Sequence, residues 1–186
     1  MESQKIIEEI NKEEKRIKEG NVSLIINSYN ELFSDFDPRP SNERTLSDDF
    51  LIECRRAARD KEIGFELRIL IPEQKRDSNE ELLIKKRLKS HFQKKYHEKI
   101  NEVKKTKREG IMWFLIGAIL GVIATFIGIQ ENNLFIVKFI VVMLEPASWF
   151  TMWSGLDKIF LDSRKEKPDI TFYKKMIHAD IKFTEY

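Results

Sequence analysis

Two apolar segments, residues 111–129 and 134–153, are separated only by the polar link Gln130-Glu131-Asn132-Asn133, in a chain of which 34% is charged. Each supplies the ~20 residues that cross a ~30 Å hydrocarbon layer at 1.5 Å per residue, so the pair reads as a transmembrane helical hairpin.

Positive charge sets the expected orientation, because Lys and Arg beside a short span stay on the cytoplasmic side. Lys104, Lys105, Lys107 and Arg108 precede the first span; Lys158, Arg164, Lys165 and Lys167 follow the second; the link has neither residue type. The expected location is the cytoplasmic (inner) membrane, with both termini cytoplasmic and the link outside. Residues 1–20 are charged throughout and lack the apolar run of a cleavable signal peptide, so the hairpin is expected to insert by itself.

Without the hairpin about 140 residues remain, enough for one small core if the flanking pieces fold together. The expected fold is an α+β membrane protein, with the hairpin inserted in a small cytoplasmic α/β domain of about three short strands. Four regions follow: a charged helix at 1–20, an α/β part at 21–109 ending in a basic helix, the hairpin at 110–156, and a tail at 157–186 that completes the soluble domain.

Residues 22–26 are β-branched and apolar, which predicts a short strand. Ser28-x-x-Glu31 has capping-box spacing and predicts a brief helix, stopped by Asp37-Pro38-Arg39-Pro40. Phe50, Leu51, Cys54, Ala57 and Ala58 recur at helical spacing within 47–60, and residues 65–71 alternate and then become wholly apolar, as a half-buried central strand does. From 79 onward Ile84, Leu88, Phe92, Tyr96, Ile100 and Val103 share one face of a long helix, with Gly110 as its weak point before the membrane. Residues 156–162 read as an interfacial extension, 165–168 as a turn, 169–178 as a helix and 181–183 as a last strand returning to the sheet.

Overall charge is only +2, which gives no reason to expect nucleic acid. Residues 80–110 nonetheless hold eleven Lys or Arg against five Glu, a surface suited to anionic lipid headgroups, with Lys104, Lys105, Lys107 and Arg108 nearest the bilayer. The single Cys54 excludes an internal disulfide and reads as core packing. His91, His97 and His178 lack metal-ligand spacing, and there is no Gly-rich phosphate loop or Ser-centred nucleophile elbow. No metal and no cofactor are expected.

Three groups of residues are candidate sites. Glu145 lies roughly 16 Å into the second span, where a charged carboxylate costs at least ~2.5 kcal/mol, and Pro146 removes a backbone donor beside it. It reads as a polar point in an oligomer or pore, as a neutral carboxyl hydrogen-bonded to a neighbouring helix, or as part of a span that sits shallower; at a polar interface it can hydrogen-bond Ser148, Thr151 or the same residues of a neighbouring chain. In the first span Gly117, Gly121, Ala124, Thr125 and Gly128 form a small-residue stripe for close helix approach, within the hairpin or between copies. The loop around Asp35, Asp37, Arg39, Glu43 and Arg44 offers charges for binding, or for internal salt bridges and caps.

Residues 37–46, Asp-Pro-Arg-Pro-Ser-Asn-Glu-Arg-Thr-Leu, resemble the Asp-Pro-x-Pro-Phe-x-Glu-Arg-Asp-Leu segment of a family of uncharacterised bacterial two-span membrane proteins. Ser41 stands at the Phe position and Thr45 at the Asp position. The family is similar in length and in order of elements, so the resemblance implies this architecture and assigns no activity.

The expected function is non-enzymatic: self-association, or adaptor work for a protein partner, in contact with membrane lipids. An oligomeric pore or ion-conducting protein centred on Glu145 is the alternative, and a membrane-tethered enzyme using the 35–44 loop the third.

Overall fold

The computed structural model describes residues 21–39, 44–130 and 134–186, so the expected helix at 1–20, the link residues 131–133 and Glu43 lie outside the described residues. Three strands form, β1 Val22–Ile25, β2 Glu66–Ile71 and β3 Asp180–Glu185, in a parallel sheet of order β1-β2-β3. The register aligns Leu24 with Ile69 and Ile69 with Phe183, so the alternating apolar positions of all three strands fall on one face. Leu67, Ile69 and Ile71 of the central strand are wholly buried. Gly64, with φ of 93°, turns the chain into β2 in a conformation that costs other residues strain.

Parallel neighbours need long crossovers. The first holds a single 3-10 turn, Tyr29–Leu32, and helix α1, Asp48–Ala58. The second holds α2, Ser78–Ile129; α3, Phe135–Asp157; a π-helical stretch, Lys158–Asp162; a short helical turn, Ser163–Lys165; and α4, Lys167–His178. Core residues come from the buried sheet face, from Phe50, Cys54 and Ala58 of α1, from Ile84, Leu88 and Phe92 of α2, and from Phe172, Tyr173 and Met176 of α4. Each large apolar side chain buried there contributes about 1.5–3 kcal/mol. The other sheet face carries charge beside the exposed Ile25: Lys182 and Arg68 both pair with Glu66, which holds that carboxyl below its usual range.

The described residues form two compact units. One comprises those up to Tyr96 together with Thr171–Tyr186, and the other is His97–Ile170. The α/β unit is thus built from both ends of the described chain, with two helices long and apolar enough to cross a membrane between them.

Local expectations needed correction in three places. Ser28 starts one 3-10 turn instead of an α-helix: its Oγ accepts from the Asn30 N–H, and the Glu31 carboxylate reaches back to the Asn27 N–H at 3.2 Å. Residues 165–168 do not make an open turn, because Pro168 sits in the first turn of α4, where a missing N–H has no intrahelical partner to lose. Residues 158–162 widen to a π-helix that no sequence signal marks. As the lack of an intervening proline predicts, α2 runs unbroken through Gly110.

Candidate functional site

Within the helical unit, α2 and α3 meet along their smallest residues. A Cβ added at Gly117 would lie 2.7 Å from the Met152 nitrogen and 2.9 Å from the Ser148 carbonyl oxygen. One added at Gly155 would lie 2.6 Å from the Gly110 carbonyl oxygen, and one at Gly121 would lie 2.8 Å from Ser148 Oγ. The Ser148 hydroxyl donates to the Gly117 carbonyl at 2.8 Å, satisfying a buried polar group across the seam. Gly110, Gly117, Gly121 and buried Ala124 fall on one helix face at near-heptad spacing, and Ser148 and Gly155, seven apart, answer them.

The expected stripe is therefore covered by α3 of the same chain, but it is shorter than the sequence suggested. Nothing lies within 4 Å of a Cβ at Gly128, and exposed Thr125 donates to the Gly121 carbonyl of its own helix. Gly110, Ser148 and Gly155 were absent from the expected set, although the seven-residue interval between Ser148 and Gly155 is readable in the sequence.

The outward faces of the hairpin are apolar. The most apolar 18-residue stretches of its two helices are only 17% and 6% buried, and Ile119, Phe126, Phe139 and Phe150 are all exposed. Glu145 and Pro146 lie on this exposed surface. Among the described residues Glu145 has no hydrogen-bond or ion-pair partner. The hydroxyls expected to serve it donate elsewhere: Ser148 to Gly117, and Thr151 to the Ala147 carbonyl at 2.6 Å. Pro146 leaves the Val142 carbonyl, four residues earlier, without its helical donor. Lys104, Lys105, Lys107 and Arg108 are exposed on α2, and Lys158 pairs with Glu109 at 3.2 Å.

The 35–44 loop is organised around Asp37. Its carboxylate accepts from the Arg39 guanidinium at 2.8 and 2.9 Å and from the Thr45 N–H at 2.8 Å, while Arg44 Nε donates to its carbonyl at 2.9 Å. The Arg39 hydrogen bond, followed by the Thr45 N–H, holds Asp37 well below the usual carboxylate range. These charges are engaged in internal pairs and turns. Asp35 stands apart, exposed at the rim of a groove beside β1.

One cluster escaped the sequence reading. Glu81 is 5% exposed and accepts from the Tyr29 hydroxyl at 3.1 Å and from Arg76 at 2.9 and 3.2 Å. Arg76 also donates to Glu185 at 3.1 Å, and the Asp77 N–H donates to Tyr29 Oη at 3.0 Å. Parallel sheets often hold ligands beyond their carboxyl strand ends, where this cluster sits. Here the Glu81 oxygens are already matched from within, and the network ties the start of α2 to β3. Glu81 was recognisable as the acidic residue that falls on the same helix face as Ile84, Leu88 and Phe92.

Burial pushes the Cys54 thiol far above its ordinary value, which leaves it inert as a nucleophile. No group of three or more His, Cys, Asp or Glu among the described residues is arranged to hold a metal ion. No family model, curated protein or solved structure matches the chain.

Proposed function

We propose that this chain is a non-enzymatic protein of the cytoplasmic membrane, anchored by its helical hairpin with both termini cytoplasmic, that acts by self-association or as an adaptor for a protein partner. The carrying observation is the inverted hairpin: small residues fill the seam, and large apolar side chains occupy the outside. Such a surface is costly in water and favourable in hydrocarbon. Lys and Arg flank the two helices at the ends away from the link, in keeping with the proposed topology. Kinship with the two-span family that residues 37–46 resemble belongs to the same proposal.

Labelling of introduced thiols in intact cells tests the topology, with buried Cys54 as a silent background. Asn132→Cys should react from outside, and Tyr186→Cys only after permeabilisation. Outside labelling of Tyr186→Cys rejects the arrangement.

Self-association is the mode of action best supported by Glu145, whose carboxylate is exposed on an apolar helix with no partner among the described residues. A polar group at bilayer depth is stabilised when a second copy brings another. Glu145→Leu should shift the oligomer distribution towards monomer in bilayers, and Glu145→Gln should shift it less. An unchanged distribution in the Leu variant removes self-association through this face. The pore alternative needs several copies, because Glu145 lies outside the seam of a single hairpin; ion flux in liposomes that Glu145→Gln abolishes would favour it.

A further inference from the structure

The two edges of the sheet are protected unequally. β3 carries Asp180, Lys182 and Glu185, charges that discourage pairing with another strand, whereas β1 reads Val-Ser-Leu-Ile. In a parallel ladder alternate residues of a strand face alternate neighbours. The Ile26 N–H donates to the Leu70 carbonyl at 2.9 Å, which directs Leu24 and Ile26 towards β2 and leaves the N–H and C=O groups of Ser23 and Ile25 pointing outward. Both residues are exposed, Ile25 by 68%.

No described strand pairs with that edge, which forms one wall of a groove of about 810 Å³. Among the described residues its lining includes five carboxylates, Glu31, Asp35, Asp48, Asp49 and Glu53, and no Lys or Arg. Four of them have local duties: Glu31 accepts from the Asn27 N–H at 3.2 Å, Asp48 and Asp49 occupy the first turn of α1, and Glu53 pairs with Arg56 at 2.7 Å. These duties do not cancel the sign of the groove. Phe36, 98% exposed, adds an apolar contact at its rim.

We infer that the β1 edge is a docking site for an extended, Lys- or Arg-containing peptide of a partner protein, which adds to the sheet as a fourth strand. Main-chain pairing with Ser23 and Ile25 supplies the attachment, and the carboxylates select a basic sequence. The inference goes beyond the membrane reading and does not rest on it, since every residue used lies in the α/β unit.

The test uses the full chain in non-ionic detergent and a fluorescent octapeptide of alternating Lys and Val, with a Glu/Val peptide as control. Anisotropy should show binding of the Lys peptide that weakens with salt, and at least about tenfold weaker binding of the Glu peptide. Ile25→Pro deletes one outward N–H without touching the ladder to β2, a placement proline tolerates at an edge, and should weaken binding about tenfold. Amide protection at Leu67 and Ile69 checks that this variant is folded. If it is not, the triple variant Asp35→Asn, Asp48→Asn, Asp49→Asn carries the test, and it should lose most of the salt dependence. Equal binding of both peptides overturns the inference, as does binding that neither variant changes. Two further outcomes also overturn it: tenfold tighter binding after deletion of residues 2–20, which makes the chain's own N-terminal segment the occupant, and a dimer that Ile25→Pro dissolves, which makes a second copy the occupant.

Discussion

The α/β unit and the helical hairpin pack by opposite rules. In the α/β unit large apolar side chains, Leu67, Ile69 and Ile71 of the sheet and Phe92 of α2, point inward, and the Glu66 ion pairs lie on the opposite sheet face. In the hairpin the seam is glycine, alanine and serine, and the isoleucines and phenylalanines point outward. Close packing is common to both, but only the first gains its stability by removing large apolar surface from contact with its surroundings. The second gains it from backbone approach and one interhelical hydrogen bond. The two units of one chain therefore differ in where most of their large apolar side chains lie.

The largest test of this contrast replaces one residue type in both places. Ile69→Ala, at a wholly buried position, should cost about 2–5 kcal/mol. Ile119→Ala, on the outer face of α2, should cost less than ~1 kcal/mol. Reversible unfolding in detergent, followed by amide exchange in each unit, reads both. Equal costs would break the comparison.

A smaller effect separates the glycines. Gly155→Ala places a Cβ 2.6 Å from backbone atoms of α2 and should destabilise the hairpin by about 1–3 kcal/mol. Gly128→Ala meets nothing within 4 Å and should be neutral or stabilising by up to ~1 kcal/mol through helix propensity. Loss of stability at both positions would extend the seam beyond Ala124.

Legibility in the sequence follows the same divide. The strands at 22–26 and 65–71 were readable because a half-buried sheet imposes alternation, and the return of the tail was readable from Ile181 and Phe183 at strand spacing. The central place of 65–71 was readable from its wholly apolar end, whereas the parallel sense of both pairings was not, since alternation carries no information about strand direction. The hairpin was readable from apolar length alone, and its seam only in part: Gly117 and Gly121 stand out, while Gly110 looked like a helix weakness because its partner, Gly155, is 45 residues away. Glu81 was missed because its role depends on Tyr29, Arg76 and Glu185, which no local pattern joins. The groove beside β1 was reached only through Asp35, since strand edges appear once the sheet is assembled.

The smallest predicted effect is local and depends on pH. Asp37 has its folded value below its ordinary one, so its contribution is fully present above the ordinary carboxylate range and is lost as pH falls through the folded value. The Thr45 amide, which donates to Asp37, should be protected at neutral pH and lose protection in Asp37→Asn, with the difference shrinking as pH falls below about 4. If protection at Thr45 is the same in both proteins at neutral pH, the loop is held by other contacts.

The pairing of β2 with β3 also sets a timetable for synthesis. Glu66 and its partner Lys182 are 116 positions apart, and at translation rates of 5–20 residues per second β2 waits on the order of ten seconds for the strand that completes its edge. Throughout that interval Leu67, Ile69 and Ile71 lie on a strand with one side open, while the whole hairpin is being made. Nascent chains halted between residues 72 and 179 are therefore the forms most prone to proteolysis and to mispairing, and release of β3 is the event that ends that vulnerability.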